Sequence, residues 1–252
     1  MKGIILGDSH VGSLKAALNC YGTPAGFTAV QFYAAPSTSL GDLKIHHGKL
    51  VPENDRLANM LLYTSGGTRE IVFDDADVII LHGLGLSISV LSRILERCTI
   101  ALCGRNAKTY ISLSCLKQAI ADNLLNRISI KILSMVREVT NKPILLSQTP
   151  FPDESIRGAN DKRWGFMENE DRSKLHDCFV RASSTMAANF DAIFVPQPHS
   201  TIVDGLYTAA YYSKGSEGII VDKKHADSDF GHMNAHYGNL VLHDAVSMIN
   251  DI

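Results

Sequence analysis

Two short segments at opposite ends of the chain carry residue types that together can cleave an ester. Gly7-Asp8-Ser9-His10 follows an apolar run at the start, and Asp229-Phe230-Gly231-His232-Met233-Asn234 stands just before the last helical pattern. A serine hydroxyl is a poor nucleophile at neutral pH, so a neutral imidazole must take its proton during attack. The imidazole needs a carboxylate to orient it, and an Asp three residues before a His can fold back to hold the second ring nitrogen. Ser9 is therefore the candidate nucleophile, His232 the candidate base and Asp229 the orienting group. Asp8 or Ser9 can also act simply as a cap for the helix that begins near Val11. At a strand-to-helix junction the backbone N–H of Ser9 also lies near the positive end of a helix, which suits a developing oxyanion.

The elements that must position these residues follow from hydrophobic spacing. Residues 2–6 form an apolar run ended by Gly7, and Val11, Leu14, Ala17 and Leu18 then recur at helical spacing. Strands are predicted over residues 27–33, 77–81, 144–147 and 192–195, the run at 77–81 being continuous enough for burial on both faces. Helices are predicted over 86–100, 169–189 and 234–249, and over 109–139 as one long helix or two. Residues 41–59 are mixed and polar, which predicts loops and a hairpin around His46-His47-Gly48. A polar loop with Pro150, Pro152 and Trp164 runs to about residue 168, a length that often covers a site. Strands alternating with helices predict an α/β fold, a three-layer α/β/α sandwich in one domain over residues 1–252. Ligands in such sheets bind beyond the carboxyl ends of the strands, where Ser9 falls.

Composition excludes several functions. The chain is 45% hydrophobic and 20% charged with a formal net charge of -2, and its longest basic cluster is Lys223-Lys224-His225. That is too small a footprint for nucleic acid. Residues 1–6 hold too short an apolar run for a signal peptide and no later run reaches membrane-spanning length, so the expectation is a cytoplasmic protein without membrane contact. Five cysteines, Cys20, Cys98, Cys103, Cys115 and Cys178, form no paired pattern and are expected to be reduced, structural thiols. No cofactor or metal is expected.

Gly7-Asp8-Ser9 after the first strand, with Asp229-x-x-His232-x-Asn234 near the end of the chain, resembles the SGNH/GDSL hydrolase superfamily. The resemblance spans nearly the whole chain and implies a flavodoxin-like sheet, Ser9 as nucleophile, His232 as base and later acid, and Asp229 as its orienting group. The chain departs from that family at the oxyanion hole. The family adds a glycine after its second strand and an Asn in a Gly-x-Asn-Asp block after its third. Here the exits read Ala34-Ala35-Pro36-Ser37 and His82-Gly83-Leu84-Gly85-Leu86, with Gly85 where the Asn would be. Gly83, Gly85, Ser37 and His82 are the candidate replacements, a backbone donor at Gly83 to Gly85 being preferred. A tight turn that needs positive φ is the competing reading of those glycines.

The function expected is a serine esterase acting on a short, acetyl-type acyl ester of a small molecule or glycan. An O-acyltransferase to a sugar would use the same three residues, and a non-catalytic glycan- or protein-binding module is a further alternative. Met233 to Gly238 and Thr64-Ser65-Gly66-Gly67, read as a loop, look similar to SGNH-like proteins of bacterial polysaccharide biosynthesis, which suggests a carbohydrate substrate. Tyr33, Trp164, Phe166, Tyr211 and Tyr212 are aromatic candidates for a rim that stacks on a sugar, or ordinary core residues. Asp8-x-His10 also resembles the first block of binuclear metallophosphoesterases, with Asp229, His232 and His236 as further ligands, but the later blocks of that site are missing. His225, Asp227 and His236 then read as loop polarity or as support behind the site.

Overall fold

Five short apolar runs form the centre of the molecule. The computed structural model describes residues 1–100, 109–157, 164–165, 170–220, 224–226 and 228–250; Cys103, Phe166, Lys223 and Asp227 lie outside the described residues. In chain order the elements are β1 (Lys2–Gly7), α1 (Val11–Tyr21), β2 (Ala29–Ala34), β3 (Leu43–His46), β4 (Lys49–Pro52), α2 (Asp55–Ser65), β5 (Val78–His82) and α3 (Val90–Arg97). Then follow β6 (Cys98–Thr99), β7 (Thr109–Tyr110), α4 (Leu113–Leu125), α5 (Ile128–Val139), β8 (Ile144–Ser147), α6 (Arg172–Ala188), β9 (Ile193–Val195), β10 (Ile202–Val203), β11 (Tyr207–Thr208) and α7 (Ala235–Asn250).

The central sheet is parallel, in the order β2-β1-β5-β8-β9. Successive side chains of a strand point to opposite faces, and here both faces are apolar. Ile4, Leu6, Ile79, Leu81, Ile144 and Leu146 enter one core, shared with α2 to α6. Ile5, Val78, Ile80, Leu145 and Val195 enter the other, shared with α1 and α7. The result is a three-layer α/β/α sandwich. Because β1 lies between β2 and β5, the chain leaves β1 toward one neighbour and reaches the other only later. This reversal opens a crevice at the carboxyl ends of β1 and β5, the place where such sheets bind ligands.

Two expectations are corrected and one open alternative is decided. Residues 55–65 are helical rather than loop: the Asn54 side chain accepts a hydrogen bond from the Leu57 N–H at 2.9 Å, and Leu57, Ala58, Leu61 and Thr64 turn inward. Thr64 and Ser65 therefore close α2, with Gly66 as its left-handed cap. The predicted helix over 86–100 is shorter, and the long pattern over 109–139 divides into α4 and α5 at Asn126-Arg127, where Arg127 is extended (φ -88°, ψ 153°). The hairpin at His46-His47-Gly48 is present as β3 and β4, its two turn residues having φ of 48° and 73°. Cys20, Cys98, Cys115 and Cys178 are free thiols. Among the described residues no helix is long and apolar enough to cross a membrane.

Candidate active site

Both sequence blocks arrive at the crevice. β1 ends at Gly7, and α1 begins at Val11, so Asp8, Ser9 and His10 make the turn between them. Neither Asp8 nor Ser9 caps α1 with its side chain; Asp8 Oδ1 instead accepts the His10 N–H at 3.1 Å within the turn. The Ser9 hydroxyl is left for another partner. On the other side, Asn234 fixes the entry to α7. Its Oδ1 accepts the N–H groups of His236 and Tyr237 at 3.0 and 3.3 Å, and its Nδ2 donates to the carbonyls of Tyr211 and Lys214. The segment just before it is thereby held against the start of α1.

In that arrangement Ser9 Oγ lies 2.8 Å from His232 Nε2, and His232 Nδ1 lies 2.8 Å from Asp229 Oδ2. An ionised carboxylate only accepts hydrogen bonds, so Nδ1 carries the proton and Nε2 is free to accept from the serine hydroxyl. The other carboxylate oxygen of Asp229 accepts the backbone N–H groups of Gly231 and His232 at 2.9 and 3.1 Å. The hydrogen bond from His232 and these backbone donors hold the Asp229 carboxyl well below the usual carboxylate range, against the opposing effect of burial. Asp229 is therefore ionised at neutral pH.

Two further histidines surround the base, and the sequence pattern does not single out either role. His225 stacks on His232 with ring centroids 3.9 Å apart and 7° between planes, and its Nδ1 lies 3.2 Å from the same Asp229 oxygen. His10 also stacks on His232, at 4.8 Å and 23°. Burial lowers the pKa of His10, outweighing the pull of Asp8. A neutral His10 limits the like charge beside an imidazolium forming on His232. His225, Asp229 and His232 also offer ligand atoms within 4.8 Å of one another, a spacing a divalent ion can span. An ion there would take up the Asp229 oxygen and the His232 nitrogen that the hydrogen bond now joins. Of the other residues in the metal reading, Asp8 serves the turn and His236 pairs with Tyr21.

The candidate oxyanion donors are dispersed. Gly83 donates its N–H to the Ser147 carbonyl at 3.0 Å, which commits that donor to the sheet. Its φ is +76° and an added Cβ would stand 2.5 Å from Asp8 Oδ1, so the glycine serves the close approach of the β1 and β5 exits. His82 is fully buried, its Nδ1 3.0 Å from Ser147 Oγ, and is closed off from the crevice. Ser37 is exposed on the loop after β2. Gly85, the third of three successive residues with positive φ, has only Ile128 within 4 Å of where a Cβ would be. Of the four, Ser37 and Gly85 are not buried.

No family model matches the chain, and no curated protein matches it. Solved structures with a similar course of the chain include one assigned as a platelet activating factor from Streptococcus pneumonia, at 13% identity and a TM-score of 0.48, covering 98% of this chain and 83% of that one. A lipopolysaccharide acetyltransferase periplasmic domain from Salmonella ser. Paratyphi A follows at 9% identity, a TM-score of 0.42 and coverage of 99% and 83%. A DUF4886 family protein from Bacteroides uniformis stands at 13%, 0.44, and 100% and 83%.

A cleft of about 500 Å³ opens over the histidine and is lined by Asp229, Phe230, Gly231 and His232 together with Pro152, Ile156 and Trp164. The long loop after β8 thus supplies its far wall. Of the proposed aromatic rim, Trp164 lines this cleft. Tyr33 is instead buried, with its hydroxyl on Thr68, and Tyr212 packs against the core beside α7. Tyr211 is 58% exposed and leans on His236.

The buried His82 has a consequence for acid stability. Burial pushes its pKa from 6.5 down to about 3. Between those values the unfolded chain binds a proton that the folded chain refuses, so stability falls as pH drops through this window and is unaffected above it. The slope due to one such group approaches about 1.4 kcal/mol per pH unit. In urea unfolding, the midpoint should fall more between pH 7 and pH 4.5 for the wild type than for His82→Asn. Equal falls would assign the acid sensitivity to other groups.

Proposed function

We propose that the protein is a serine esterase that removes a short acyl group from a carbohydrate ester through an acyl-enzyme on Ser9. The observation that carries the reading is the unbroken line from Ser9 Oγ to His232 Nε2 and from His232 Nδ1 to Asp229 Oδ2, each step 2.8 Å. Ser9 Oγ attacks the ester carbonyl as its proton passes to His232 Nε2. The imidazolium, held by Asp229, then protonates the leaving sugar oxygen, and the C–O bond breaks. Water gives a proton to the same nitrogen, attacks the acyl-enzyme and releases the acid, restoring Ser9. The oxyanion formed at each addition is assigned to the backbone N–H groups of Ser9 and Gly85, since Gly83 is engaged in the sheet. A carbohydrate fits the indole of Trp164 on the cleft wall, because a flat aromatic face suits the C–H face of a sugar ring.

Intact-mass analysis after treatment with a fluorophosphonate tests the nucleophile directly. One adduct on the wild type, absent from Ser9→Ala and from His232→Ala, is the expected result. A folded wild type that takes no adduct, or an adduct that survives Ser9→Ala, would refute the reading.

A further inference from the structure

Trp164, Pro152 and Gly231 also line a second hollow, of about 410 Å³, on the other side of the same wall. His10 and Gly231, the neighbours in sequence of Ser9 and His232, form its border with the candidate site. Its chemistry differs from that of the first cleft. Arg93 from α3 and Arg127 from the break between α4 and α5 reach it, along with Ser87, Ser89 and Ser92. Thr149 adds a hydroxyl, and its Oγ1 is buried with no hydrogen-bond partner among the described residues. Among the described residues no carboxylate lines the hollow. Neither guanidinium takes part in an ion pair among the described residues. Burial, and then the nearby charge of Arg93, lower the pKa of Arg127.

Two like charges held close together without a counter-charge cost free energy, and an anion between them reverses the sign of that interaction. Guanidinium groups present paired N–H donors to the two oxygens of a carboxylate or phosphate, and hydroxyls complete the shell of such an anion. We propose that this hollow is an oxyanion-group subsite, in which Arg93 and Arg127 bind the carboxylate or phosphate of an acidic sugar. The substrate class then follows from the esterase reading, on which this part rests: an acylated sugar carrying a negative charge, its ester at Ser9 and its anion between the arginines. Trp164 stands at the divide between the two hollows, where the ring of such a sugar would lie.

The test has a binding arm and a turnover arm. In calorimetry with Ser9→Ala, N-acetylneuraminate or glucose 6-phosphate should bind, whereas glucose should not, and which anion binds distinguishes carboxylate from phosphate. Adding Arg93→Gln and Arg127→Gln should weaken that binding by about tenfold or more, the scale of a lost charge-assisted hydrogen bond. In turnover, the acetylated form of the anion that binds should be hydrolysed with a kcat/KM about tenfold above that of acetylated glucose, and the ratio should collapse toward one in the double arginine variant. Anions that bind no better than glucose, or a ratio that the arginine variants leave intact, would overturn the subsite. Binding with the predicted arginine dependence, in a protein that takes no fluorophosphonate, would retain the subsite and reject the esterase.

Discussion

His232→Ala lowers turnover of 4-nitrophenyl acetate by about 10⁴-fold or more, and Ser9→Ala by a similar factor, while the double variant loses little beyond either single change. The non-additivity is the informative part. Ser9 Oγ has its hydrogen bond to His232 Nε2, so without the imidazole the hydroxyl keeps its full proton and attacks no better than any serine. Without the hydroxyl, the imidazole has no nucleophile to activate. Two groups that act as one unit can be lost only once. Asp229→Asn should cost less, on the order of 10³- to 10⁴-fold, because the backbone N–H donors still shape the loop while the carboxamide favours the wrong tautomer of His232. Folding should survive the His232 change, because Asp229 keeps those donors and the contact with His225. Single-turnover rates and melting temperatures of the four variants decide the matter. Losses that multiply in the double variant would show that Ser9 and His232 act separately.

The parts of this site that were legible from sequence are those set by short-range rules. Gly7-Asp8-Ser9 sits at the exit of an apolar strand, and Asp229 lies three residues from His232, so each pair of neighbours is positioned by a local turn. The stacking of His225 on His232 was not legible, because they stand seven positions apart and no periodicity relates their rings. His82 is a candidate donor by sequence because it opens the exit of the strand predicted over 77–81, but the folded strand runs on through it. In the folded chain that end is covered on every side and the ring turns to Ser147. α2 was hidden by its composition: Leu62 and Tyr63 lie off its buried face and blur the spacing of Leu57 and Leu61. The choice between one helix and two over 109–139 stayed open for the opposite reason. Leu116, Ile120, Leu124, Ile128, Ile132 and Val136 keep a four-residue spacing across it, and neither Gly nor Pro marks Arg127. That break matters, since it carries Arg127 into the hollow it shares with Arg93.

Bringing Ser9 to His232 across 223 residues of chain is the work of one helix crossing, and Gly238→Ala should expose it. α1 begins two residues after Ser9 and α7 three after His232, so the packing of these two helices sets the distance between nucleophile and base. Gly238 permits that packing. A Cβ there would lie 2.1 Å from the Ser13 carbonyl oxygen and 2.9 Å from the Leu14 nitrogen, both backbone atoms that no rotamer change can move. Alanine is the better helix former by about 1 kcal/mol, yet the helices must separate to admit it, at an overpacking cost of about 3 kcal/mol or more. For a chain of this size that corresponds to a melting temperature lower by roughly 5–10 °C. Any separation also lengthens the 2.8 Å contact between Ser9 and His232, so turnover should fall by about 10-fold or more in the fraction that remains folded. Asn239→Ala, one residue along α7, leaves the crossing untouched and should match the wild type in both measurements. A Gly238→Ala protein that melts and turns over like Asn239→Ala would separate the geometry of the candidate triad from the α1–α7 crossing.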